Sequence, residues 1–250
     1  MRKLLVAGNW KMHGSRADTR ALIGALGAAL GGDAAAEVLV CPPYVYLCDA
    51  AEALSGSNIV LGAQDMAVEA SGAYTGEIAG TMLTDVGCRY VIVGHSERRS
   101  IYGEEDGLVA AKFRSAQRDG LTPILCVGES LQERETGITE AVIARQLGAV
   151  LESSGIVAFK DAVVAYEPVW AIGTGHTASP EQAQAVHAFI RGILTHEDDT
   201  IGNSVRILYG GSVKSSNARD LFSMPDVDGG LVGGASLDAE GFAGICRAAG

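Results

Sequence analysis

Short, continuous apolar runs rich in β-branched residues alternate along the chain with longer segments whose apolar residues recur every three or four positions. Within the short runs, polar and apolar residues do not alternate, which is typical of strands buried on both faces of a parallel sheet. We predict one strand at each run: Leu4–Trp10, Glu37–Cys41, Ile59–Gln64, Tyr90–His95, Thr122–Val127, Ala162–Glu167, Val205–Gly210 and Gly230–Gly233.

The intervening segments carry signals for the ends of helices. Residues 15–18 read Ser-Arg-Ala-Asp, a capping-box pattern that predicts the start of a helix. Gly31-Gly32 predicts the end of the same helix. Residues 179–182 form a second box, with proline at the first helical position. The acidic run 104–106 predicts negative charge in the first turn of a further helix.

The predicted strands begin about 32 residues apart, which is the length of one βαβ unit. Eight such units in 250 residues, with no shift in composition, predict a single α/β domain over residues 1–250, a (β/α)8 barrel. The alternative is a doubly wound open sheet. The number of units in this length favours the barrel.

Charge limits the classes of partner. Lys plus Arg is 19 and Asp plus Glu is 30, a formal charge of −11, so we predict no nucleic-acid partner and no anionic membrane partner. An anionic ligand would need a site built locally against this field. No apolar stretch has the length of a membrane-spanning helix, and the apolar start stops at Gly8, too early for a signal peptide.

Glycine and cysteine add two further constraints. The chain has 33 glycines but only 6 prolines, so the glycines serve turns or close backbone approaches. The 5 cysteines form no C-x-x-C pair, which predicts reduced thiols and a cytoplasmic location.

Polar or glycine residues follow most of the predicted strands at their carboxyl ends. In a barrel these ends surround one mouth, where active sites are built. The arrangement predicts a Lys, a His and two Glu around one point. The strand ends concerned read Asn9-Trp10-Lys11, Gln64-Asp65, His95-Ser96-Glu97, Glu167-Pro168, Gly210-Gly211-Ser212 and Gly233-Gly234.

Five segments resemble the signature segments of the triosephosphate isomerase family: 9–11 (NWK), 93–99 (VGHSERR), 165–175 (AYEPVWAIGTG), 209–213 (YGGSV) and 231–237 (LVGGASL). The resemblance runs from Val6 to about Ala248. It implies reversible conversion of dihydroxyacetone phosphate to D-glyceraldehyde 3-phosphate, a step of glycolysis and gluconeogenesis. It also implies a homodimer, with no cofactor and no metal.

The resemblance assigns Glu167 as the base, His95 as a neutral electrophile and Lys11 as a fixed cation. A closed, dry site would strengthen the carboxylate as a base. Asn9 would orient Lys11 and contact the substrate, and Glu97 would pair with Lys11. Each assignment has an alternative: Glu167 could be a solvated loop residue, His95 a structural histidine, and Glu97 a surface residue paired with a neighbouring arginine. The other histidines, His13, His176, His187 and His196, are interpreted as surface residues.

Few cations are available to bind the phosphate, so backbone N–H groups of glycines and a helix N-terminus would bind it. The proposed phosphate contacts are Asn9, Lys11, Gly173, Ser212, Gly233 and Gly234. The implied lid is Pro168, Val169, Trp170, Ala171, Ile172, Gly173, Thr174 and Gly175, with hinges at 168–170 and 176–178. Residues 173–178 also match a loose dinucleotide fingerprint, which we reject because no strand directly precedes it.

The long connection 65–77 is implied to be the dimer loop, and the alternative is a mobile surface loop. Its apolar tip, 66–68, would be buried between subunits, and Thr75 would reach the partner's Lys11 and His95. The expected dimer contacts are Gln64, Asp65, Met66, Thr75, Gly76 and Glu77. Two residues depart from the family pattern. Asp65 stands where Asn is common, so a carboxylate without a cation could be buried there, and His176 stands where Lys is frequent.

Two other functions remain open at this stage. A barrel aldolase would use Lys11 as a Schiff-base amine, and reduction with borohydride in the presence of substrate would reveal it. A sugar-phosphate binding protein would lack turnover. The presence of a base, an electrophile and a cation argues against the second.

Overall fold

The computed structural model describes residues 2–31, 35–172 and 177–250. Its strands form one closed parallel barrel in which each strand pairs with its neighbours in chain order and the first pairs with the last. The (β/α)8 barrel is therefore confirmed, and the open sheet is excluded. The strands are β1 (Leu5–Asn9), β2 (Glu37–Cys41), β3 (Ile59–Ala63), β4 (Tyr90–Val93), β5 (Thr122–Val127), β6 (Val163–Tyr166), β7 (Arg206–Tyr209) and β8 (Gly229–Val232).

Helices surround the barrel, and short 3₁₀ turns interrupt several connections. The helices are α1 (Arg16–Leu30), α2 (Leu47–Ala53), α3 (Gly80–Asp85), α4 (Ser96–Tyr102), α5 (Asp106–Arg118), α6 (Leu131–Glu135), α7 (Thr139–Ser154), α8 (Pro180–Glu197), α9 (Asp199–Ser204), α10 (Ala218–Phe222) and α11 (Ala239–Ala248). The 3₁₀ turns are Tyr44–Tyr46, Ile156–Asp161, Val169–Ala171 and Gly234–Leu237.

The predicted helix ends are mostly confirmed. Ser15 caps α1 by accepting from the Asp18 N–H, and Gly31 ends it in the left-handed conformation; Gly32 lies outside the described residues. Ser179 and Gln182 form the full capping box of α8. The prediction for Glu104 is wrong: α5 begins at Asp106, and Glu104 is instead buried beside cations.

Alternate residues of each strand face two separate cores. Leu5, Leu39, Ile92, Ile124 and Leu208 belong to a cluster inside the barrel. The residues between them pack outward against the helices in a larger cluster. Burial on both faces explains why the strands read as continuous apolar runs.

Several expectations about single residues can be compared with the structure. All five cysteines are free thiols, and only Cys48 is exposed. His13 and His196 are exposed as expected, but His187 is fully buried, so its interpretation as a surface residue is wrong. His176 lies outside the described residues. Within the described ranges, no helix is long and apolar enough to cross a bilayer.

Candidate active site

A cavity of about 270 Å³ opens at the carboxyl ends of the strands. Asn9, Lys11, His95 and Glu167 line one part of it, which comes from β1, β4 and β6. The loops after β7 and β8 line the rest with Ser212, Gly233 and Gly234, among others. Closure of the barrel thus brings together residues from five separate parts of the chain.

Glu167 follows β6 directly and is 2% exposed. Its carboxylate accepts from the Ser96 N–H at 2.8 Å and from the Ser96 hydroxyl at 3.3 Å. His95 Nε2 lies 3.0 Å from Oε1, the same oxygen that accepts from the Ser96 hydroxyl. The backbone is close on this side too, since a Cβ on Gly128 would lie 1.8 Å from the Glu167 carbonyl oxygen. Glu167 is therefore a buried, held carboxylate and not a solvated loop residue.

His95 is the N-cap residue of α4 and is 6% exposed. Its Nδ1 accepts a hydrogen bond from the Glu97 backbone N–H at 3.2 Å. A ring nitrogen that accepts from a backbone N–H carries no proton, so the ring hydrogen is assigned to Nε2. The imidazole is then neutral and presents an N–H at the carboxylate of Glu167 and the cavity.

Lys11 adopts a left-handed backbone with φ of 51°, which is uncommon for a residue other than glycine. Two side chains support this conformation: Asn9 Oδ1 accepts from the Lys11 N–H at 3.0 Å, and Gln64 Nε2 donates to the Lys11 carbonyl at 2.8 Å. The Lys11 ammonium lies 2.5 Å from Glu97 Oε1. Glu97 is therefore the ion-pair partner of Lys11 in this structure.

The far end of the cavity is built from glycines and one serine. Ser212 donates through its hydroxyl to the Ala171 carbonyl at 2.8 Å, and Gly233 and Gly234 begin the turn after β8. A Cβ on Gly233 would lie 3.4 Å from Lys11 Cε, so the lysine side chain packs beside this glycine. Gly173 lies outside the described residues.

Of the expected lid, the structure describes residues 168–172, while Gly173, Thr174, Gly175 and the hinge residue His176 lie outside the described ranges. Val169–Ala171 form a 3₁₀ turn. Glu129, which is fully buried, accepts from Trp170 Nε1 at 3.0 Å and from Tyr166 Oη at 3.1 Å. Ile172 lines the cavity. The first hinge is thus anchored to the barrel through a buried carboxylate.

The expected dimer contacts divide into two groups. Thr75, Gly76 and Glu77 are exposed at the end of an irregular loop. Met66, which was expected to be buried between subunits, is already 1% exposed within the single chain and belongs to its core, so its burial needs no second subunit. Gln64 contacts Lys11 and the Cys41 carbonyl of its own chain.

The expectation that Asp65 lacks a cation is also wrong. Both its oxygens lie 2.8 Å from Lys112 Nζ, and Arg98 Nε is 2.8 Å from Oδ2. Burial raises the pKa of Asp65 although both cations oppose the shift. Burial also acts on the neighbouring Glu104, but hydrogen bonds from Lys112 and Arg98 outweigh it and lower the pKa of that carboxyl group. Two carboxylates and two cations thus form a largely buried network at the start of the loop 65–77.

Sequence reasoning missed several residues that support the site. Ser96, which follows His95 directly, holds the carboxylate of Glu167. Gln64 holds the backbone of Lys11, and Lys214 lines the cavity as a second cation. Their position directly after strands was the available signal, but their contacts depend on closure of the barrel.

The chain is similar to known proteins over nearly its whole length. The sequence model of the triosephosphate isomerase family matches residues 4–249. The chain is 62% identical over 249 residues to the triosephosphate isomerase of Thiobacillus denitrificans, an alignment that covers 100% of this chain and 99% of that protein. It is 59% identical over 250 residues to the enzyme of the same name from Nitrosococcus oceani, with 100% of both chains covered.

Proposed function

The chain belongs to the triosephosphate isomerase family and interconverts dihydroxyacetone phosphate and D-glyceraldehyde 3-phosphate, and we propose that Glu167, His95 and Lys11 carry out the chemistry. One observation carries this assignment. A buried carboxylate and the N–H of a neutral imidazole lie 3.0 Å apart at the wall of a cavity whose far end is rich in backbone N–H groups.

Glu167 acts as the base. One carboxylate oxygen takes a proton from the carbon bearing the hydroxyl, and the electrons of that C–H bond form the C=C bond of an enediolate. The π electrons of the carbonyl group move onto its oxygen. The same carboxylate then returns the proton to the adjacent carbon, while the hydroxyl proton passes to the former carbonyl oxygen and the first carbon becomes the new carbonyl. The Ser96 N–H, at 2.8 Å, orients this carboxylate at the wall of the cavity. General base catalysis of this kind contributes about 10²–10⁴-fold to the rate.

His95 and Lys11 stabilise the charge that develops on oxygen. The Nε2–H of His95 donates to the substrate oxygens, and the ammonium of Lys11 supplies positive charge near the enediolate. Asn9 and Glu97 position Lys11. The side chain of Asn9 accepts from the Lys11 backbone N–H at 3.0 Å, and the carboxylate of Glu97 lies 2.5 Å from the Lys11 ammonium.

The phosphate occupies the end of the cavity formed by Ser212, Gly233 and Gly234, and Gly173 completes its binding from the lid. Backbone N–H groups approach an anion closely where no Cβ intervenes. The lid, residues 168–175, covers the bound substrate and excludes water. Its described end supports this, since Ile172 already lines the cavity.

The working unit is a homodimer built around the loop 65–77. Large apolar side chains are exposed near this loop and the mouth, including Met12 at 93%, Val45 at 76% and Tyr102 at 68%. A cavity of about 160 Å³ beside the site is lined by Lys11, His95 and Glu97 among others. Thr75 of a second copy would enter it and cover the apolar surface.

The protein is cytoplasmic. Four of its five thiols are buried and all are free, which suits a reducing compartment.

Replacement of Glu167 tests the assignment of the base. Glu167→Ala removes the carboxylate, and Glu167→Asp retracts it by one methylene. Both should lower kcat about 10²–10⁴-fold in a coupled assay, while a phosphate-bearing inhibitor still binds. Glu152→Ala, at an exposed position of α7, is the matched control. Near-normal turnover of Glu167→Ala would refute the assignment.

The oligomeric state is tested by placing charge on the apolar surface. Val45→Glu together with Tyr102→Glu should give monomers in sedimentation experiments, with reduced activity. The control is Val157→Glu, at an apolar residue that is 65% exposed in the turn before β6. A dimer that persists in the double variant would count against this interface.

A further inference from the structure

Two neighbouring strands end in buried tyrosines, one linked to the first flank of the lid through Glu129 and the other in direct contact with the second flank. Tyr166 donates to Glu129, the carboxylate that also accepts from Trp170. Tyr209 accepts at its hydroxyl from the Ala178 N–H at 3.3 Å. Their exposures are 1% and 0%, respectively. Tyr166 and Trp170 thus share one carboxylate before residues 173–176, and Tyr209 accepts directly from the segment after them.

A histidine packs against both tyrosine rings. His187, on α8, is fully buried, and its ring centroid lies 5.8 Å from that of Tyr166 and 6.4 Å from that of Tyr209. The contact with Tyr166 is edge-to-face at 85°. These separations fall within the range at which aromatic rings attract one another.

The ring of His187 is also fixed from behind. Its Nδ1 lies 3.1 Å from the Asp226 carbonyl oxygen, and burial, the main cause, lowers its pKa to about 4. The ring is therefore neutral at neutral pH, and its Nδ1–H donates to that carbonyl. On the opposite side of Tyr209, a Cβ on Gly211 would lie 2.2 Å from the hydroxyl oxygen, so this tyrosine has little freedom to move.

We propose that His187 is a positioning residue of the isomerase: its anchored ring sets the positions of Tyr166 and Tyr209, and through them the two flanks of the lid. A phenylalanine would fill the space without the anchor, and an asparagine would keep a donor without the ring. The proposal rests on the role of residues 168–175 as a lid under the proposed function.

Substrate-free enzyme provides the first test. Amide hydrogen exchange at Val169 and Ala178, followed by NMR, reports on the two flanks without any catalysis. We expect exchange at Ala178 to rise about tenfold or more in His187→Asn and also in His187→Phe. The control is Phe159→Leu, which disturbs a buried aromatic pair with Phe113 elsewhere in the fold. It should lower Tm without changing exchange at Ala178.

Turnover provides the second test. A displaced lid should lower kcat about tenfold with a smaller change in KM, since ångström-scale misplacement is costly. It should also raise the ratio of released inorganic phosphate to isomerised product, because the enediolate loses phosphate when it is poorly held. Phe159→Leu should leave this ratio unchanged.

The outcomes distinguish a failure of the positioning role of His187 from a failure of the proposed role of the lid. If His187→Asn and His187→Phe fold but show wild-type exchange at Ala178, or change it no more than Phe159→Leu does, the positioning role is overturned. If His187→Asn fails to fold, His187→Phe decides alone. If exchange rises while the phosphate ratio stays at the wild-type value, His187 positions the flanks and the lid role in the proposed function is wrong.

Discussion

Gly210 offers a direct way to displace the base without changing it. The residue follows β7, and its N–H donates to the Tyr166 carbonyl at 2.7 Å. A Cβ built on Gly210 would lie 2.8 Å from Glu167 Cγ and 3.0 Å from the Tyr166 carbonyl oxygen. Gly210 is not among the residues with positive φ, so alanine can adopt its backbone conformation. The effect of Gly210→Ala is therefore steric and falls on the side chain of Glu167.

The size of the effect follows from these distances. Two carbon atoms attract one another best at about 3.5–4.0 Å, so Glu167 Cγ must move by about 1 Å. That shift breaks the alignment of the carboxylate with its partners, Ser96 and His95. Misplacement of a catalytic group by this amount costs about 100-fold in rate. Overpacking should also cost about 1–3 kcal/mol of folding free energy.

The assay compares Gly210→Ala with Gly192→Ala. No atom lies within 4 Å of a Cβ built on Gly192, which is exposed in α8. Gly192→Ala should keep wild-type kcat and gain about 0.5–1 kcal/mol of stability. Gly210→Ala should lose about 100-fold in kcat at temperatures well below its Tm. If Gly210→Ala turns over at the wild-type rate, the carboxylate does not need the position seen here and the reasoning fails.

Three further outcomes are expected. Asp65→Asn should lower the free energy of unfolding at pH 7 by about 3 kcal/mol in urea titrations, because it removes a charge from the buried pair with Lys112; a gain would contradict this. The unfolding free energy of the wild type should fall by up to about 3 kcal/mol as the pH drops from about 6.5 to about 4. In this range His187 is protonated in the unfolded chain but stays neutral in the folded protein, because burial lowers its pKa to about 4. His187→Asn should lack this contribution, and equal slopes would disprove it. Glu97→Gln should lower kcat about tenfold by loosening Lys11, and unchanged kinetics would show that the pair is dispensable.

The strands and the mouth of the barrel were predictable because they depend on patterns within short stretches of sequence and on the regular spacing of those stretches. Strands buried on both faces must be apolar at every position, so their bounds are visible in the sequence. A parallel barrel then brings all carboxyl ends to one side, which is why Glu167 and His95, from β6 and β4, could be assigned to one site.

Side chains whose burial depends on several elements were not predictable. Met66 reads as the apolar tip of a loop, yet it is buried in the core of its own chain. Lys112 lies on a helix and reads as a solvated cation, but its ammonium lies 2.5 Å from Glu104 and 2.8 Å from Asp65. Nothing local marks these positions, because each partner comes from a different part of the chain.

The distribution of charge around the cavity explains how an acidic protein can bind an anion. The chain carries a formal charge of −11, and the ammonium of Lys11 is already paired with Glu97. Lys11 thus adds little net attraction at a distance, and its charge becomes useful only at contact, where the substrate oxygens can share it with Glu97. Under the proposed function, backbone N–H groups at the glycine-rich end hold the phosphate, and because these dipoles do not titrate, they keep their strength as the pH changes. These dipoles act only over short distances, so they favour ligands that fit the cavity. The net negative charge of the protein repels anions that do not fit.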